Sequence, residues 1–140
     1  MHTQEVASYA RLIAAGEGMA EDEIALHEIA AWLHDIGCPR SKEIYGNSLP
    51  QNQQSVGREV AAGLLANVDS LSHEQKFWLV DVVGSHHQFK SAQELHFEPL
   101  FEADLIVNIL SGYYPKESAE KMFQSMMKTD SGKRLFKLLV

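Results

Sequence analysis

The sequence predicts an all-α protein, a single compact bundle of five to six helices, and three observations predict it. Apolar residues recur at helical spacing nearly throughout, no segment alternates strictly like a half-buried strand, and glycine or proline punctuates the helical stretches. A length of 140 residues suits one domain covering 1–140.

The elements follow in order. A first helix is expected over about residues 3–16, with Val6, Tyr9, Ala10 and Ile13 as its stripe and Gly16 and Gly18 at its end. The second opens with Glu21-Asp22-Glu23, acids suited to the positive end of a helix dipole. It continues through Ile24, Ile29, Ala30 and Leu33 and stops at Gly37, with Pro39 just beyond. Residues 38–53 read as a polar loop carrying Pro39, Gly46, Asn47 and Pro50, and the run from Gln51 to Gln54 is expected to be solvated. A third helix, about 54–67, turns Val56, Val60, Ala61, Leu64 and Leu65 inward. A fourth, about 72–85, opens at Ser72 and offers Phe77, Val80 and Val83 to the core. After His86-His87 a second polar segment runs to about Phe97. The fifth helix, about 98–111, is the most apolar, with Leu100, Phe101, Leu105, Ile106, Val107, Ile109 and Leu110. Pro115 can open a sixth, and Lys133 to Val140 form a short last one, so the C-terminal helices occupy about 115–140.

Composition narrows the function. Hydrophobic residues at 45% and charged residues at 22% exclude a disordered tail, a collagen-like repeat and a disulfide scaffold. No apolar run approaches the roughly 18 to 20 residues of a membrane span, so no membrane partner is expected. The start, Met1-His2-Thr3-Gln4-Glu5, lacks signal-peptide regions, and a lone Cys38 suits a reducing compartment; a cytoplasmic location is the expectation. Twelve Lys and Arg against nineteen Asp and Glu leave a net charge of −7, which repels a phosphate backbone and argues against a nucleic acid polymer. A small phosphorylated molecule remains open as a partner if a cation sits in the pocket, and homo-oligomerisation also stays open.

The functional signal lies where ionisable groups interrupt apolar stripes. Counting back along the first helix's face from 13, 9 and 6 lands on His2. The second helix's stripe ends in His34-Asp35, and neighbouring helical positions differ by about 100°, so both side chains can edge one gap. Asp104 sits among Leu100, Phe101, Ala103, Leu105 and Val107, where an unpaired carboxylate costs several kcal/mol or more. A metal ion resolves that problem, and two imidazoles with two carboxylates form a nitrogen/oxygen set suited to Zn, Mn, Fe, Co or Ni. His86-His87 closes the fourth helix in the same manner, placed to bind a second ion or a phosphate oxygen. Taken singly, each of these residues is as readily a satisfied core or helix-end group; their conjunction on four helices carries the argument. His27, His73 and His96 are expected to be structural or exposed.

These residues resemble the HD superfamily of metal-dependent phosphohydrolases, in its small bacterial single-domain form. The family pattern matches His2, then His34-Asp35 in Ala30-Ala31-Trp32-Leu33-His34-Asp35-Ile36-Gly37, then Asp104 in Glu102-Ala103-Asp104-Leu105-Ile106-Val107-Asn108. His2-Thr3 followed by Val6, Tyr9-Ala10, Ile13-Ala14 and Glu17-Gly18 is similar to the opening of many small members, as are the Gly57 to Leu65 stretch and a helix ending in His86-His87. The resemblance covers about residues 2–112. Two departures stand out: no helix precedes His2, and the region where two-metal branches carry a further histidine has Gln51, Gln53 and Gln54, with no Gly-Tyr-Pro after His87.

The resemblance implies one divalent ion (Zn, Mn, Fe, Co, Ni or Mg) on His2, His34, Asp35 and Asp104, with a second near His86 and His87 less favoured. It implies hydrolysis of a small phosphate ester, such as a nucleotide, by a metal-activated water. Asp35 would act as general base, His86 and His87 would stabilise phosphate oxygens, and Arg40 and Lys42 would neutralise substrate charge. The alternatives are a non-catalytic metal- or nucleotide-binding sensor domain of the same fold, an oxygenase with two irons, and a structural bundle in which Asp104 pairs with Arg or Lys.

Overall fold

In the computed structural model, which describes residues 1–140, every regular element is helical. In chain order they are α1 (His2–Gly16), α2 (Glu21–Leu33), α3 (Cys38–Tyr45), α4 (Pro50–Leu65), α5 (His73–Val83), α6 (Phe89–Glu94), α7 (Glu98–Leu110), a 3-10 turn (Lys116–Ser118), α8 (Ala119–Met126) and α9 (Asp130–Leu139). The all-α expectation stands, with more and shorter helices than the five or six expected. No helix is long and apolar enough to cross a membrane. The chain divides into two compact units, residues 1–31 with 97–140, and residues 32–96.

In the first unit α1 packs on α7, and α9 packs on both. The stripe of α1 is buried at Val6, Ala7, Ala10, Ile13 and Ala14. Residues 102–109 of α7 are buried without a break, as expected of a helix that is apolar nearly all round. Leu105, Ile106 and Ile109 meet Ala119, Met127 and Phe136, and each large side chain buried there contributes about 1.5–3 kcal/mol. Three polar residues, Glu102, Asp104 and Asn108, are buried within that stretch, and Glu102 is 1% exposed. Its Oε2 accepts the backbone N–H groups of Lys128 and Thr129 at 2.8 and 3.0 Å, and its Oε1 accepts the Thr129 hydroxyl at 2.6 Å. Glu17 Oε2 accepts both the Ser131 N–H and its hydroxyl, at 3.1 and 2.7 Å. Two carboxylates therefore answer the positive end of α9. Burial nevertheless pushes the Glu102 pKa up, because the lost hydration outweighs these hydrogen bonds.

In the second unit α4 packs on α5 and on α3. Val56, Ala61 and Leu65 face a core shared with Leu79, Val82 and Val83. Ser72 caps α5 in a reciprocal box with Gln75, at 3.1 Å for Gln75 N–H to the hydroxyl and 2.8 Å for Ser72 N–H to the amide oxygen. Gly37, in the turn after α2, lies directly against α4. A Cβ there would collide with the Gln53 carbonyl oxygen and stand 2.5 Å from Gly57 N.

Several expectations need correction. The supposed loop 38–53 contains α3 and the first turn of α4, since Pro39 and Pro50 sit at helix starts, where a missing N–H costs nothing, and Gly46 ends α3 at φ 75°. The segment after His87 holds α6. Phe77 and Leu64, expected inward, are 70% and 57% exposed. Pro115 precedes the 3-10 turn rather than opening a full helix, and the last helix begins at Asp130, capped by the Thr129 hydroxyl.

Candidate metal centre

Within residues 32–96 the site is built on the turn that ends α2. Backbone bonds from Ile36 N–H to Leu33 O and from Cys38 N–H to Asp35 O, both 3.0 Å, hold the turn that carries His34 and Asp35. The glycine contact of Gly37 with α4 fixes that turn against Gln53. His34 is fully buried, and its Nε2 lies 3.2 Å from Asp35 Oδ2. The other carboxylate oxygen, Oδ1, lies 3.3 Å from His86 Nε2, while the Asp35 side chain keeps 31% exposure. His86 and His87 leave the end of α5 with ring centroids 4.2 Å apart, and His86 meets His34 edge to face at 5.2 Å. Asp35, His86 and His87 each offer a ligand atom, all within 4.8 Å of one another.

The tautomer of His86 follows from its surroundings. Its Nδ1 is 2.8 Å from the Val83 carbonyl, which can only accept, so Nδ1 carries the hydrogen and the neutral ring presents a lone pair at Nε2. That lone pair and the Asp35 carboxylate repel unless positive charge stands between them. Imidazole nitrogen and carboxylate oxygen are the donors a borderline divalent cation takes, so the residues fit a metal ion.

Two glutamines complete the surroundings. Gln53 Nε2 approaches His86 Nε2 at 3.1 Å and His87 Nε2 at 2.6 Å, and Gln54 Oε1 accepts the His87 backbone N–H at 2.9 Å. Both glutamines are buried, at 2% and 6%, which corrects the expectation of a solvated run. The face of α4 that buries Val56, Gly57, Ala61 and Leu65 leads back by helical steps to Gln53 and Gln54, a signal present in the sequence once the helix is known to start at Pro50.

Within the first unit α1 places His2 beside Asp104 of α7, with His2 Nε2 3.1 Å from Asp104 Oδ1. Asn108, one turn along α7, donates to the same oxygen at 3.3 Å, a partner the i, i+4 spacing could have named. Within the first unit the structure thus assembles His2 with Asp104, and within the second it assembles His34, Asp35, His86 and His87. Arg40 and Lys42 lie on α3 rather than in a loop; both are exposed, and Arg40 bonds Glu43 at 3.0 Å. Of the other histidines, His27 is buried with Nδ1 2.8 Å from the Glu23 carbonyl, and His73 and His96 are exposed. A family model described as HD domain matches residues 1–110. No curated protein and no solved structure matches the chain.

Proposed function

Because the chain belongs to the HD-domain family, whose members are generally metal-dependent phosphohydrolases, we propose that it hydrolyses a small phosphate ester, such as a nucleotide. In this reading His2, His34, Asp35 and Asp104 hold one divalent ion, Zn, Mn, Fe, Co, Ni or Mg. The observation that carries it is Asp35, whose two carboxylate oxygens meet His34 Nε2 at 3.2 Å and His86 Nε2 at 3.3 Å. The matched segment also contains all four proposed ligands.

A divalent ion bound there would polarise a phosphoryl oxygen and make water a stronger acid. Asp35, the part-exposed carboxylate of the set, accepts the proton of the attacking water. His86 donates its Nδ1–H to the Val83 carbonyl and so keeps no N–H at Nε2 to offer a phosphate oxygen. His87 is less buried and faces the phosphate oxygens. Arg40 and Lys42 add positive charge on α3 to a chain whose net charge is −7.

The test is a panel of phosphate esters with protein purified without chelator. Turnover is expected to vanish on chelation, to return with added divalent ion, and to fall by at least about 100-fold in Asp35→Ala, the low end for a general base. Undiminished turnover in Asp35→Ala overturns the mechanism. Tight ligand binding with no product would instead support the non-catalytic sensor of the same fold.

A further inference from the structure

We infer that Gln53 sets the number of metal ions at this centre: its amide N–H2 group engages the Nε2 lone pairs of His86 and His87 and so takes the place of a second cation. The inference rests on the reading of His34, Asp35 and their neighbours as a divalent-ion centre, and it concerns a residue that reading leaves without a role.

The geometry carries it. Asp35, His86 and His87 offer three ligand atoms within 4.8 Å of one another, enough to begin a second site. One nitrogen, Gln53 Nε2, stands 3.1 Å from His86 Nε2 and 2.6 Å from His87 Nε2, within hydrogen-bond reach of both rings at once. The amide orientation is decided by His86: with Nδ1–H given to Val83 at 2.8 Å, its Nε2 accepts, so the group facing it must be the donor end of the amide. The two amide hydrogens serve one ring each. Their positive ends oppose a cation at the same spot, and displacing the amide would strip His86 of a buried hydrogen bond and His87 of a part-buried one. The other end, Gln53 Oε1, is buried without a hydrogen-bond partner. That unsatisfied acceptor costs free energy, which the two hydrogen bonds from the amide nitrogen to the imidazole pair offset.

A side chain with a lone pair or a negative charge at this position should reverse the effect. Gln53→His would place a third imidazole beside His86, His87 and Asp35, and Gln53→Glu would supply a second carboxylate of the same shape as the native amide. The experiment titrates metal-stripped full-length protein with Mn2+ by calorimetry, with low-temperature electron paramagnetic resonance to detect a spin-coupled ion pair. The expected result is one ion per chain and no coupled signal for the native protein, against two ions and a coupled signal for either variant. Two ions in the native protein overturn the inference and leave the metal reading intact. One ion in both variants, with native helical circular dichroism, does the same. No ion in the native protein overturns the metal reading, and the inference then survives only if a variant gains an ion. A measurement on the native chain alone guards against misfolded variants: nitrogen NMR of the metal-free protein should show His86 hydrogen-bearing at Nδ1 and lone-paired at Nε2, and hydrogen at Nε2 overturns the inference.

Discussion

His86 Nε2 stands 3.3 Å from Asp35 Oδ1 while Nδ1 of the same ring is 2.8 Å from the Val83 carbonyl. The last turn of α5 thereby dictates which nitrogen of His86 is free of hydrogen, and that nitrogen meets the carboxylate of the turn after α2. A backbone carbonyl behind an imidazole is a common way to fix its tautomer and raise its basicity toward a cation. The pair His2 and Asp104, 3.1 Å apart, supplies the other half of the proposed ligand set.

Asp104→Asn removes the charge at that second pair and keeps the size of the side chain. Divalent-ion affinity, read by competition with a chromophoric chelator, should drop by more than the roughly 10–100-fold typical of losing an outer partner of a metal ligand. His2→Ala should act in the same direction. Unchanged affinity in both variants would remove these residues from the ligand set.

Glycine substitutions in the second unit should have opposite signs at two positions. An added Cβ at Gly37 meets the backbone of Gln53 and Gly57, which cannot yield as a flexible side chain would, so Gly37→Ala should destabilise by about 1–3 kcal/mol and weaken ion binding by moving His34 and Asp35. Gly63 lies inside α4 with open space around it, and Gly63→Ala should stabilise by about 0.5–1 kcal/mol. Urea midpoints of the two variants check the contrast, and a stabilised Gly37→Ala would contradict the close approach.

Glu102 links stability to pH. Burial raises its pKa in the folded chain, so the folded state binds this proton more tightly than the unfolded state does. Its contribution is therefore fully present below the ordinary glutamate pKa and is lost as pH rises through the raised folded value. Glu102→Gln should remove that part of the decline, so the variant's stability falls less steeply than the native protein's over this window. Parallel curves of denaturation midpoint against pH would refute the assignment.

Ser72→Ala opens the capping box of α5 at the end opposite His86. The loss should be about 0.5–2 kcal/mol by urea denaturation, with ion affinity unchanged. A change in ion binding would show that fraying travels the length of α5.

Legibility in the sequence tracked how local each signal is. The stripe of α1 could be read because Val6, Ala10 and Ile13 are buried at helical spacing. By contrast α3 buries only Ser41, so it has no apolar stripe to announce a helix, and its proline and polar residues suggested a loop. Phe77 shares a helical stripe with Val80 and Val83, yet it is exposed, because α5 buries the face of Leu79, Val82 and Val83 and the spacing alone does not say which face meets α4.

The sequence alone determined the helical class, the polar residues that break the apolar stripes, and the His34-Asp35 and His86-His87 doublets at helix ends. All of these rest on periodicity and stop signals within one turn or one helix. Tertiary structure alone decided that Gln53 and Gln54 meet His86 and His87 across 33 positions of chain, and that Asp35 faces His86. Those contacts depend on how closely the backbones at Gly37 and Gly57 approach, a packing distance that no local pattern of residues encodes.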